Sequence, residues 1–228
     1  MSRKATGKLD IYLEVGNRRT IASALDWPGW CRVGRDETSA LQALLEYGPR
    51  YAKVVRFVHL GFQVPGDVSA FVVKERLKGN ATTDYGVPGL APSLDSQPLN
   101  ESELQRLQTI LKACWRTFDA VVESSRGIAL RTGPRGGGRT LDGIVEHVFG
   151  AETGYLSSLG GKVSSSEKTT ASPDLIHQAI LITMKASANG EIPDRGPRGG
   201  KRWTSRYFAR REAWHILDHI WEIEERLE

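Results

Sequence analysis

The sequence predicts a small α+β domain followed by an all-α four-helix bundle. Three observations carry that prediction. Short segments of alternating apolar and polar residues crowd residues 1–78, a stretch rich in Gly, Pro, Ser and Thr fills 79–99, and four segments with helical apolar spacing occupy 100–228. The middle stretch reads as a linker or an ordered long loop, and the domain boundary is placed there.

In the first domain, Asp10–Val15 (DIYLEV) alternates as a half-buried strand, Gly16 and Asn17 supply a turn, and Thr20–Leu25 continues as a second strand. Asp26–Trp30 (DWPGW) is a turn, and Cys31–Val33 is a third short strand. Thr38 is placed to cap a helix carrying Ala40, Leu41, Leu44 and Leu45, which Gly48-Pro49 is expected to break or kink ahead of Tyr51–Phe57. Ser69–Leu77 is a further strand.

In the second domain, Asn100 and Glu103 form a capping arrangement for a helix whose stripe runs through Leu104, Leu107, Leu111, Cys114, Trp115 and Phe118. A second helix over about 140–159 gathers Leu141, Ile144, Val145, Val148, Phe149, Leu156 and Leu159 on one face. A third starts at Ser172-Pro173 and ends at Gly190, and a fourth runs from about Thr204. A Gly-Pro-Arg-Gly-Gly core recurs in Thr132–Arg139 and in Arg195–Arg202, ahead of the second and fourth helices. An approximate two-fold relation between helix pairs would bring both loops to the same end.

Composition narrows the function classes. The chain has 228 residues, 39% hydrophobic and 25% charged, as a folded protein does. No segment approaches the roughly 18 consecutive apolar residues of a membrane helix, and the opening MSRKATGKLD lacks the apolar core of a secretory signal. Two distant cysteines, Cys31 and Cys114, exclude a disulfide scaffold and suit a reducing cytoplasm. A net charge of +4 permits anionic ligands without arguing for DNA, and neither a membrane nor nucleic acid is an expected partner.

The histidines carry the chemistry. His215 and His219 are four residues apart, on one side of a helix, as two imidazoles sharing a metal require. His147 lies at the edge of the apolar face of the second helix. Three imidazoles from two helices fit a divalent transition metal, Zn, Ni or Fe, with positions left for water or substrate. The same spacing suits packing histidines at a semi-buried edge. Ile216 stands where a zincin protease has its general base.

Glu152 falls on the apolar side of the second helix and needs a partner. It is read either as an ion pair with an arginine of the last helix or as a catalytic carboxylate beside the metal. Asp218 and Glu222 flank the His215/His219 face and are candidates to orient an imidazole. Arg135 and Arg139 precede a helix N-terminus, and Arg206, Arg210 and Arg211 precede His215. Together with Tyr155 they are the candidate substrate-binding residues, suited to a carboxylate or phosphate. Gly133–Thr140 is one residue away from a P-loop, but arginine replaces its lysine and a long helix precedes it.

Two segments resemble known families. Trp203–Arg226 is similar to the last helix of DinB-like proteins, and Leu141–Glu152 to their second helix. The resemblance covers about residues 100–228. It implies a four-helix bundle holding a divalent metal through one histidine of the second helix and an HxxxH pair of the fourth, which here are His147, His215 and His219. With the loop arginines, which suit an anionic group, it points to a metal-dependent enzyme acting on a small, anionic substrate by activating a metal-bound water or thiol, for transfer, isomerisation or hydrolysis. Some members use a low-molecular-weight thiol, and members often form homodimers. Ala24–Gly34, followed by Ser39–Leu45, resembles HicB-type small α+β domains, but the DNA-binding segment that accompanies such domains in antitoxins is missing here. The competing reading is a non-catalytic binding or regulatory module whose N-terminal domain engages a protein partner.

Overall fold

The computed structural model describes residues 7–132, 138–163 and 172–227. The architecture is α+β, a four-stranded sheet followed by helices, and the chain divides into two compact units, Met1–Ser96 and Gln97–Glu228.

In the first unit the strands are β1 (Leu9–Val15), β2 (Thr20–Ala24), β3 (Cys31–Gly34) and β4 (Phe71–Lys78), in the order β3-β2-β1-β4. β1 and β2 are antiparallel, with Ile11 opposite Ala24 and Leu13 opposite Ala22. β4 lies parallel to β1, so the chain must cross over, and helix α1 (Glu37–Val55), packed on β2 and β3, lies in that connection. Ile11 and Leu13 share one face of β1, while Tyr12 and Glu14 share the other. The Glu14 carboxylate accepts from Thr83 Oγ1 at 3.3 Å and from the Gly89 amide at 3.1 Å. Glu75, beside Tyr12 in the register, accepts from Ser93. These bonds fasten the segment after β4, including the short helix α2 (Ala81–Tyr85), onto that second face.

Two local expectations need correction. The cap of α1 is Asp36, which accepts from the Ser39 amide while the Ser39 hydroxyl accepts from the Asp36 amide; Thr38 already lies inside the helix. Of the break or kink expected at Gly48-Pro49, the break does not occur, because α1 continues through Pro49 to Val55. A proline there removes one backbone hydrogen bond, but the turns on either side are anchored. Trp30 Nε1 donates to the Leu44 carbonyl at 2.9 Å, and the Tyr51 hydroxyl donates to the Pro28 carbonyl at 3.0 Å. Tertiary packing of fully buried Trp30, Leu44 and Tyr51 overrides the local signal.

The second unit contains α3 (Glu101–Ser124), α4 (Leu141–Leu159), α5 (Pro173–Ala188) and α6 (Ser205–Leu227). Asn100 and Glu103 form the expected capping box, and Gly160, at φ +107°, closes α4 in a conformation that suits glycine. Glu103 pairs with Arg206 near the starts of α3 and α6, Trp115 donates to Glu212 further along, and the Arg131 amide donates to the Arg226 carbonyl beyond α3 and near the end of α6. α3 and α6 therefore run in the same direction. The Trp203 amide donates to the Ser158 carbonyl and the Ser205 hydroxyl to the Met184 carbonyl. The ends of α4 and α5 thus lie at the start of α6, and both helices run against it.

That topology overturns the expected two-fold echo. Arg131 and Gly138, flanking the first Gly-Pro-Arg-Gly-Gly segment, lie against Arg226 at the end of α6. Arg202, closing the second, lies against Gly160 at the opposite end. Because α4 and α5 run parallel, the α5–α6 loop falls at the far end, and the loop repeat reflects composition rather than symmetry.

Candidate metal centre

α4 and α6 cross antiparallel, which brings His147, in the second turn of α4, against His215 and His219, near the middle of α6. Each imidazole offers one nitrogen, and these nitrogens all lie within 4.8 Å of one another. His147 Nε2 and His215 Nε2 are 3.1 Å apart. The three ring centroids are 4.7 to 5.0 Å apart, edge to face. His215 and His219 are buried and His147 is half-buried.

The protonation states suit a cation. Burial, followed by the charges of His219, His147, Arg211 and Arg139, pushes His215 down to about 3. Burial, followed by Arg139 and His219, lowers His147. Both rings are held neutral, as metal ligands must be. His219 Nδ1 is bonded to Glu222 Oε2 at 2.7 Å, leaving its Nε2 for the cluster. Arg226 donates to the other oxygen of Glu222 at 2.9 Å, and that carboxyl is held below its usual range first by the His219 bond. This carboxylate–imidazole arrangement fixes ring orientation and basicity. Nitrogen ligands at 2.0–2.1 Å from a tetrahedral ion lie about 3.3 Å apart, close to the separation of the two Nε2 atoms. The three histidines thus lie close enough to hold a metal ion.

No protein-family model, curated protein or solved structure matches the chain.

The candidate substrate-binding residues scatter. Tyr155 stands edge-on to His215 at 5.7 Å between centroids, and its hydroxyl accepts from Arg211 Nη2 at 3.3 Å. Arg211 also lies 4.8 Å over the Trp214 ring. Arg139 is exposed, and its charge acts on both His147 and His215. With Arg126 and Arg226 it lines a cavity of about 480 Å³ at the start of α4. Arg206 is committed elsewhere, to Glu103 at 2.8 Å and to the Gln97 and Pro98 carbonyls. Arg210 is buried on α6, and Arg135 lies outside the described residues.

Glu152 does not meet an arginine of the last helix. It is buried beside Glu212 of α6, with His177 Nε2 of α5 at 3.3 Å from Glu152 Oε2. Sequence reasoning missed Glu212 and His177. Glu212 sits four residues from both Phe208 and Ile216 on the apolar stripe of α6, a signal masked by its neighbours Arg210 and Arg211. His177 follows buried Ile176 one residue on and lacks the i+4 partner that made the other histidines conspicuous.

In the described residues no helix is long and apolar enough to cross a membrane. Cys31 and Cys114 are buried and not joined in a disulfide, and burial raises the Cys114 thiol, which makes it unreactive.

Proposed function

We propose that residues 100–228 form a DinB-like four-helix bundle and that the protein is a metal-dependent enzyme acting on a small, anionic substrate by transfer, isomerisation or hydrolysis. The observation carrying this reading is the convergence of three imidazole nitrogens within 4.8 Å, with His219 oriented by Glu222. His147, His215 and His219 would hold the ion, Zn, Ni or Fe. A divalent ion bound there lowers the pKa of a water or thiol ligand, supplying a nucleophile at neutral pH.

The chain's own residues provide the surroundings. Glu222 keeps the His219 tautomer with Nε2 toward the cluster and is itself held by Arg226. Arg139 supplies positive charge for an anionic group at the cavity it lines, where Arg226 and Arg126 are already paired with Glu222 and Glu123. The Tyr155 hydroxyl, which accepts from Arg211, is raised by burial and keeps its proton near neutral pH, so that it would be a donor for a substrate bound beside His215.

Elemental analysis of untagged protein tests the reading, with wild type beside His215→Ala and His219→Ala. About one equivalent of a transition metal, lost in both variants, is the expected result. An ion-free wild type after reconstitution with zinc, nickel and iron would overturn it.

A further inference from the structure

A second ionisable cluster lies deeper in the second unit, and each of its four helices contributes one member. α3 supplies Trp115, α4 Glu152, α5 His177 and α6 Glu212. Glu152 is 1% exposed and Glu212 0%. Trp115 Nε1 donates to Glu212 Oε1 at 3.4 Å, and the Trp115 ring stacks on His177 at 4.0 Å between centroids, 11° from parallel. Four buried atoms of the cluster have no hydrogen-bond partner: Glu152 Oε1, Glu152 Oε2, Glu212 Oε2 and His177 Nε2.

Two adjacent buried carboxyls carry a large desolvation penalty when both are ionised. Relief comes from a cation or from protons. Among the described residues only the three histidines form a set whose ligand atoms converge within 4.8 Å. The glutamates and His177 do not converge in that way, and a proton fits where an ion does not.

We infer that Glu152 and Glu212 form a proton-binding site, sharing one proton between their carboxyl groups and exchanging it with solvent through His177. A proton on Glu212 Oε2 donates to Glu152, and His177 Nε2, 3.3 Å from Glu152 Oε2 but not bonded to it, stands where its lone pair can take that proton over while Nδ1–H releases one outward. Like-charged carboxyls in contact do not both ionise, which makes the pair a shared titrating unit. The route outward is short. His177 retains 13% side-chain exposure, and the charges that act on it from outside the pair are Asp119 of α3 and Asp174 of α5, both exposed. The other groups facing the pair are the Cys114 thiol of α3 and Tyr155 of α4. Burial pushes Glu152 up to about 7 and raises Glu212 well above the ordinary range, Glu152 adding to the latter. The site is thus poised to take up and release its proton near neutral pH. Glu212 precedes His215 by three residues on α6, so proton uptake is placed about one helical turn from the candidate metal ligands. The inference does not depend on a metal being bound there.

Infrared spectroscopy of the full chain in heavy water tests it, following the protonated-carboxyl stretch from pH 5 to 9 with glutamate-specific carbon-13 labelling. The expected result is a glutamic-acid band still present at pH 6, where an ordinary glutamate is ionised. It should fade by about pH 9, disappear in Glu152→Gln/Glu212→Gln, and persist in His215→Ala, which removes a candidate metal ligand. In Glu212→Gln the remaining carboxyl should titrate lower than the wild-type pair by at least about one pH unit, since the like charge is gone. A wild type with no labelled band at pH 6, or a band surviving in the double variant, would overturn the inference. So would a second divalent ion per chain that the double variant loses. If the double variant fails to fold, the labelled wild-type titration decides alone.

Discussion

α4 and α6 carry two buried clusters of ionisable groups, and burial drives them in opposite directions. At the metal end it strips protons from the His147 and His215 imidazoles, exposing nitrogen lone pairs to a cation. At the Glu152–Glu212 end it forces protons onto carboxyls, covering the oxygen lone pairs that would attract one. Desolvation favours the neutral form in both cases, yet the neutral form of one group is a ligand and that of the other is a donor. Selectivity between the two clusters is therefore built chiefly from burial, with neighbouring like charges adding to it, before any metal arrives.

The largest expected effect separates the clusters outright. In calorimetric titration with Zn, His147→Ala should weaken binding by more than about 100-fold, because loss of an orienting partner alone costs about 10–100-fold. Glu152→Gln should leave the affinity nearly unchanged. Equal weakening by both variants would show that the clusters act as one site. Glu222→Gln should fall between them, weakening Zn binding by about 10–100-fold while leaving the infrared band of the carboxyl pair in place.

A third prediction uses the opposing protonation shifts in metal-free protein. His215 is lowered from 6.5 to about 3, so the unfolded chain binds the extra proton and stability rises with pH across that window. Glu152 is raised from 4.5 to about 7, so the folded chain binds the extra proton and stability falls as pH rises from 4.5 to about 7. Between about pH 4.5 and 6.5 the two slopes oppose each other. Denaturant titrations at several pH values should show that His215→Ala tilts the stability curve downward with pH relative to wild type. Glu152→Gln should tilt it upward, each by up to about 1.4 kcal/mol per pH unit. Parallel curves for all three proteins would remove the electrostatic distinction. The smallest effect serves as a reference: Asn100→Ala should lower stability by about 1 kcal/mol at every pH, with no tilt, because it removes a helix cap distant from both clusters.

The first cluster was legible in the sequence and the second was half legible. His215 and His219 declare themselves by their spacing, and His147 by its place beside an apolar face. Glu152 showed as a charge on an apolar stripe, but its partners did not, because a single helix's periodicity cannot say what packs against it. Glu212 was hidden beside two arginines, and His177 lies on a helix that no spacing rule connects to Glu152. The loop echo failed for a related reason: helix direction depends on how the chain returns between α4 and α5, which Gly-Pro-Arg-Gly-Gly repeats do not encode. In the first unit, alternation located the strands, while Pro49 misled because its helix is pinned by Trp30 and Tyr51 from distant turns.

His147 stands only six residues past the start of α4, whereas Glu152 lies in mid-helix and Ile144 and Leu156 bury their side chains on either side of the pair. Helix ends open far more often than helix centres. An ion held by His147 would therefore be released by opening of the first two turns of α4, at the cost of exposing Ile144, rather than by melting of the whole domain. In hydrogen exchange, an added ion should slow the amides around His147 while those near Glu152 keep the pace set by global unfolding.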